Sequence, residues 1–167
     1  MPDLQKKICL LGTFGVGKTS LVRRFVENHF DDKYLSTIGV KVSRKRLTTA
    51  SRQVDLLVWD IANTEELGAL AQNYFRGAHG ALVVHDVTRP ESAQRVADYC
   101  EMFLTIAPRA RLVFAGNKSD LIDPAAFLPE NIQQQLGRFS APHFFTSAKT
   151  GEQVEQAFYA LAEATLA

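Results

Sequence analysis

With 167 residues the chain is long enough for one domain with a sealed core, since folding at this size buries roughly 68–70% of the unfolded surface, and it leaves no room for a second. Apolar residues make up 46% and charged residues 22%, ordinary globular usage that excludes collagen-like sequence, coiled coil and intrinsic disorder. Lys and Arg number 19 against 18 Asp and Glu, a net charge of +1, so no strongly basic face speaks for nucleic acid as a partner.

The N-terminus, Met1-Pro2-Asp3-Leu4-Gln5-Lys6-Lys7, has no apolar signal core and no glycine after the initiator Met. The longest apolar runs, such as Ala81-Leu82-Val83-Val84, fall far short of a membrane span. The last residues, Glu163-Ala164-Thr165-Leu166-Ala167, hold neither cysteine nor a basic run, so the expectation is a cytoplasmic monomer without a lipid anchor in this chain. Cys9 and Cys100 lie far apart in apolar contexts and read as buried thiols rather than a disulfide or metal pair.

In chain order, short β-branched or aromatic runs alternate with segments of helical periodicity, the signature of βαβ units. Strands are predicted over Lys7–Leu11, Val40–Thr48, Gln53–Trp59, Ala81–Val87, Arg111–Ala115 and His143–Thr146. Helices are predicted over Lys18–Asn28, Leu67–Phe75, Glu91–Ile106, Pro129–Phe139 and Gln153–Leu166. Several strands are apolar on both faces, as in a sheet covered by helices on both sides. The second and third strands follow each other with only Ala50-Ser51-Arg52 near the turn, too little for a parallel crossover, so these two form an antiparallel hairpin. The predicted fold is α/β, one domain over residues 1–167, with a six-stranded, mostly parallel sheet, one antiparallel edge strand and helices on both faces. Ligands in such sheets bind at the carboxyl ends of the strands.

The first strand runs directly into Gly12-Thr13-Phe14-Gly15-Val16-Gly17-Lys18-Thr19, which fits GxxxxGK[ST] at every fixed position, between a strand and a helix. Glycines let backbone N–H groups curl around a phosphate, Lys18 adds a point charge, and the Thr19 hydroxyl can ligate Mg²⁺. Gly12, Phe14, Gly15, Val16, Gly17, Lys18, Thr19 and Ser20 are therefore the expected phosphate-binding residues. Asn117-Lys118-Ser119-Asp120 follows the fifth strand, where a base-reading loop belongs. A carboxylate placed like that of Asp120 accepts from the ring N–H and the exocyclic amine of guanine, whereas adenine lacks that amine. A kinase or ATPase built on the same loop calls for an adenine site and an arginine-bearing lid, and Asn117 to Asp120 argue against it.

On these motifs the chain resembles the Ras-like small GTPases, and within them the Rab branch, over almost its whole length. Thr37-Ile38-Gly39-Val40 looks like the first switch, Trp59-Asp60 opens a segment similar to the second, and Ser147-Ala148-Lys149 resembles the last base-binding loop. Tyr74-Phe75-Arg76-Gly77-Ala78-His79-Gly80 and Asp86-Val87-Thr88 also read like Rab sequence. The resemblance implies a G domain binding Mg²⁺ with GTP or GDP, with Thr19, Thr37 and Asp60 around the metal and Phe30 packed edgewise on guanine. It implies that Asn117, Lys118, Asp120, Ser147, Ala148 and Lys149 hold the base, Ala148 through its backbone N–H and the two lysines through their stems. Its catalytic set falls on Lys18 and Thr37, with Thr64 at the water-positioning place.

The departures bear on chemistry. Where the family's second switch begins Asp-x-x-Gly-Gln, this chain reads Asp60-Ile61-Ala62-Asn63-Thr64-Glu65-Glu66. Asn63 keeps an N–H that can sense the γ-phosphate and tolerates unusual backbone angles. Thr64 is too short to orient water as glutamine does. Phe14 occupies a position that is glycine in Ras, where its ring crowds the γ-phosphate side or else swings into solvent. Glu65 lies one residue too far along to substitute simply, and no arginine sits beside the first switch. The expected function is a guanine-nucleotide switch that hydrolyses GTP slowly, the alternative a GTP-holding adaptor that does not hydrolyse. Effectors are expected on the switch segments with Trp59 and Tyr74, where the third residue of the Rab effector triad, usually Phe, is Val42; an exchange factor and an activating protein are the other implied partners. His29, His79, His85 and His143 have no ligand spacing. Lys41, Arg44, Lys45 and Arg46 read as the solvated face of an edge strand.

Overall fold

The computed structural model describes residues 4–30, 39–62, 69–123 and 130–167. Its six strands are β1 (Gln5–Leu11), β2 (Val40–Thr48), β3 (Gln53–Ile61), β4 (Gly80–Asp86), β5 (Arg111–Asn117) and β6 (His143–Phe145). They form one sheet in the order β2-β3-β1-β4-β5-β6. Every neighbouring pair is parallel except β2 and β3, which run antiparallel from Val40 opposite Ile61 to Thr48 opposite Gln53. The hairpin closes where the Thr49 N–H and hydroxyl both donate to the Arg52 carbonyl, at 2.9 and 2.8 Å. The predicted fold class is the observed one.

Period-two alternation divides the strand side chains between two cores. Ile8 and Leu10 of β1, with Leu56, Val58, Leu82, Val84, Val113 and Ala115, face α1 (Lys18–Glu27) and α6 (Val154–Leu166). Phe25 of α1 and Phe158 of α6 stack there at 4.0 Å between centroids. Cys9 and Leu11 point the other way, with Ala81, Val83, Leu112 and Phe114, toward α2 (Ala69–Phe75), α3 (Pro90–Gln94), α4 (Val96–Ile106) and α5 (Glu130–Gly137). Burial pushes the Cys9 and Cys100 thiols up to about 12, so both stay protonated. Because β3 and β4 flank β1 on opposite sides, the chain reverses its winding at β1, and the crevice at the carboxyl ends of β1 and β4 is where such sheets bind ligands.

Some details depart from the expectation. The single helix predicted over Glu91–Ile106 is broken at Arg95, whose N–H turns to the Ala93 carbonyl, so that α3 ends at Gln94 and α4 begins at Val96. α1 stops at Glu27, because Asn28 adopts a left-handed φ of 51° and its N–H caps the Arg24 carbonyl. On the charged face of β2, Arg44 and Arg46 are not simply solvated, since both bond the buried Asp55 carboxylate across the hairpin. The side-chain hydrogen bonds from Arg46 and, next, Arg44 hold the Asp55 carboxyl down at about 2.

Candidate nucleotide-binding site

The loop between β1 and α1 is shaped by glycines that no other residue replaces. Gly12 has φ 153°, and a Cβ there would stand 2.4 Å from the Val84 carbonyl oxygen of β4. Gly17, with φ 99°, precedes the first residue of α1, and a Cβ would stand 2.3 Å from the Asn117 side-chain nitrogen. The loop is thus pressed against β4 on one side and the end of β5 on the other, and it leads into the N-terminus of α1, the kind of helix end suited to an anion. Lys18 is buried, its ammonium donating to the Gly12 carbonyl at 2.7 Å. Val16 is fully buried under the loop, while Phe14 is 58% exposed.

The neighbouring strand end supplies the oxygen ligands a hard cation needs. The Thr19 hydroxyl donates to Asp60 Oδ2 at 2.6 Å, joining the start of α1 to the end of β3, and Asp60 is buried. A hydroxyl beside a buried carboxylate is a donor set suited to Mg²⁺ held also by phosphate oxygens. Ser20 follows in the first turn of α1, partly buried. Thr37, Asn63 and Thr64 lie outside the described residues.

The segments expected to read a base come together at the ends of β5 and β6. Asn117 is buried and acts as their keystone: its Nδ2 donates to the Val16 carbonyl at 3.0 Å, and its Oδ1 accepts from the Thr146 hydroxyl at 3.2 Å. The same oxygen is 3.3 Å from the Ala148 N–H, the group the resemblance aims at the guanine carbonyl. Lys118 turns the chain through a left-handed φ of 67°, and Ser119–Leu121 form a single 3-10 turn. Within it Asp120 Oδ1 accepts from the Ser147 hydroxyl at 2.7 Å, so the carboxylate is aligned by the other base loop. Phe30, the last described residue before position 39, is partly buried against the α1 and α6 core.

Four features escaped the sequence reading. Arg24 of α1 ties down the last base loop, donating to the Ala148 carbonyl at 2.7 Å and the Lys149 carbonyl at 2.5 Å. Asp86, buried at the end of β4, accepts from Lys118 Nζ at 2.9 Å and Arg89 Nε at 3.1 Å. Burial would raise its carboxyl, but the Thr88 hydroxyl, the Lys118 ammonium and the Thr88 backbone N–H outweigh that and hold it below its ordinary value. The Arg89 guanidinium itself reaches the loop after β1, at the Phe14 carbonyl. His85 and His143, 58 positions apart, meet Nε2 to Nε2 at 2.8 Å beneath the base-reading loops. A buried acid closing an apolar strand was the available signal for Asp86; the others needed the fold. On the opposite flank Trp59 lies across the hairpin from Val42, 6.5 Å from the Tyr74 ring and under the Lys7 ammonium at 3.8 Å. The three positions expected to receive effectors are therefore neighbours.

The sequence model of the Ras family matches residues 7–167. The chain is 34% identical over 161 residues to the GTP-binding protein YPTM2 of Zea mays, which covers 96% of this chain and 79% of that protein. It is 34% identical over 160 residues to the Ras-related protein RABD2a of Arabidopsis thaliana, covering 95% and 79%. Against the Ras-related protein Rab-21 of Mus musculus it is 35% identical over 153 residues, covering 91% and 69%. Among the described residues no helix is long and apolar enough to cross a membrane.

Proposed function

Because this chain belongs to the Ras family, on its Rab branch, and is a GTP-binding switch, we propose that it hydrolyses its bound GTP slowly, for want of a side chain to position the attacking water. The observation that carries the nucleotide half is the mutual locking of phosphate and base loops, through Asn117 onto the Val16 carbonyl and Lys118 onto the Gly15 carbonyl. Two separate recognition loops tied at 3.0 and 2.9 Å act as one preorganised surface for a molecule with both a base and phosphates.

In this reading the buried Lys18 ammonium and the loop N–H groups stabilise charge that builds on the transferred phosphoryl oxygens. Thr19, Thr37 and Asp60 hold Mg²⁺, which when bound neutralises phosphate charge. Asp120 selects guanine by accepting two of its N–H groups, and Ser147 keeps the carboxylate turned for that purpose. By its sequence the second switch keeps, at Asn63, a backbone N–H suited to sensing a γ-phosphate, while threonine at position 64 is too short a side chain to orient water as a glutamine amide does. The neighbouring Trp59, Tyr74 and Val42 form the face that would receive effectors, together with the switch segments on which exchange and activating proteins would act.

A second reading, a GTP-holding adaptor that does not hydrolyse, is favoured by the same absence of Gly and Gln at Asn63 and Thr64 together with the bulk of Phe14. Single-turnover hydrolysis of Mg²⁺-GTP, with the co-purified nucleotide identified by chromatography, separates the two. Bound GDP and a measurable rate support a cycling switch; GTP that survives intact for hours supports the adaptor.

A further inference from the structure

Arg89 belongs to none of the nucleotide-binding motifs, yet its side chain ends on the phosphate loop. Its Nη2 donates to the Phe14 carbonyl at 3.0 Å, and a Cβ placed on Gly15 would lie 3.4 Å from the same nitrogen. The other end of the fork is fixed, since Nε donates to Asp86 Oδ2 at 3.1 Å. Asp86 is in turn built into the sheet: its Oδ1 accepts the Thr88 N–H at 2.9 Å and hydroxyl at 2.6 Å, and its own N–H donates to Ser92 Oγ at 2.8 Å. The Arg89 N–H closes the turn onto the Asp86 carbonyl at 3.0 Å, and Pro90 then starts α3 with a fixed φ.

Lys118 completes the set. Its ammonium shares Asp86 Oδ2 with Arg89 and donates to the next carbonyl along the loop, that of Gly15, at 2.9 Å. Two consecutive peptide carbonyls are thus held by two cations anchored on one buried carboxylate. A peptide group is planar and trans, so fixing its carbonyl aims its N–H in the opposite direction. Holding the Phe14 carbonyl aims the Gly15 N–H, and holding the Gly15 carbonyl aims the Val16 N–H, the groups a phosphate loop turns toward its anion.

We propose that Arg89 is a positioning residue for the phosphate loop, which slows release of bound guanine nucleotide by holding the Phe14–Gly15 peptide in its anion-binding orientation. The proposal rests on the nucleotide-binding reading above. It assigns Arg89 no contact with the nucleotide; the effect passes through the peptide plane.

The test is release of fluorescently labelled GDP, preloaded with Mg²⁺ and chased with excess GDP, from the unaltered chain, Arg89→Ala and Arg89→Lys. Arg89→Ala is expected to release GDP about tenfold faster, the scale of one partly exposed charge-assisted hydrogen bond. Arg89→Lys should fall between, because a lysine keeps the charge but lacks the planar fork whose Nε and Nη2 meet Asp86 Oδ2 and the Phe14 carbonyl from this position. The preference for GDP over inosine diphosphate, which lacks the amine read by Asp120, should not change, and neither should thermal unfolding of the nucleotide-free chain. Unaltered release in Arg89→Ala overturns the proposal, as does faster release accompanied by an equal loss of base preference or of nucleotide-free stability. Failure of the unaltered chain to retain labelled GDP at all would instead overturn the nucleotide-binding reading and the proposal with it.

Discussion

The Lys118 ammonium donates to the Gly15 carbonyl at 2.9 Å, so the loop after β5 holds the glycine loop after β1 from behind. Removing it in Lys118→Ala deletes that bond and the Asp86 ion pair together. Hydrogen bonds to charged groups contribute about 1.5–3 kcal/mol, and the exposed part of the lysine places the expected loss near the lower end, about tenfold to thirtyfold in GDP affinity. Isothermal titration of the nucleotide-free protein measures this; an affinity within twofold of the original would mean the two loops are held independently.

Asp120→Asn is expected to leave the loop standing, because an amide oxygen still accepts the Ser147 hydroxyl that now bonds Oδ1 at 2.7 Å. Its effect falls on the base. An amide nitrogen facing the two guanine donors has nothing to accept with, whereas xanthine offers a carbonyl in place of the amine. Preference for GDP over xanthosine diphosphate should collapse by a factor on the order of 10⁴, the scale of sites built on matched polar pairs. Competition between the two nucleotides for the variant reads it directly, and an unchanged ratio would remove Asp120 from base selection.

Thr64→Gln tests what limits hydrolysis. With water positioning alone limiting, the substitution speeds single-turnover hydrolysis about a hundredfold, the lower range of what one positioned group contributes. Phe14→Gly combined with it should add to the gain by clearing the γ-phosphate side. A double variant no faster than the original would move the block to Asn63 or to the backbone of the second switch.

The paired imidazoles predict a pH dependence of stability. Burial lowers both His85 and His143 below the ordinary histidine value, and for His85 the neighbouring His143 adds to the effect. A folded value below the unfolded one means stability is full above about pH 6.5 and declines as pH falls, because the unfolded chain takes up protons that the folded chain refuses. The decline continues until the imidazoles protonate in the folded chain, His143 at about 4 and His85 at about 3. By pH 5 it should amount to about 2 kcal/mol for each imidazole kept neutral. His143→Gln keeps a hydrogen-bonding group beside His85 but cannot titrate, so urea unfolding at pH 7.5 and 5 should show a smaller loss for it; equal losses would place the acid sensitivity elsewhere.

Local chemistry made much of this architecture legible in the sequence. The strand-to-helix glycine loop, the short β2–β3 turn and the two-faced apolar runs each carry their own geometry, so the hairpin and the helix-covered sheet could be read directly. What stayed hidden depends on approach over long sequence distances. Nothing near Arg24 in the chain points to the carbonyls of Ala148 and Lys149, and nothing in the spacing of His85 and His143 announces their contact across the sheet. Arg89 was illegible for the same reason, since the loop it supports lies 75 positions earlier. The break at Arg95 escaped because neither glycine nor proline marks it; the carbonyl of Ala93 simply captures its N–H.

Trp59 is the one tryptophan of the chain, and it precedes Asp60, whose carboxylate meets the Thr19 hydroxyl. Its ring lies beside Tyr74 and beneath the Lys7 ammonium, with the indole N–H buried. An indole so placed has an emission sensitive to the distance of that cation and to the entry of water. The molecule therefore carries its own optical gauge: any event that moves the Lys7 ammonium or admits water to the ring is expected to change intrinsic fluorescence excited at the tryptophan band, without a label.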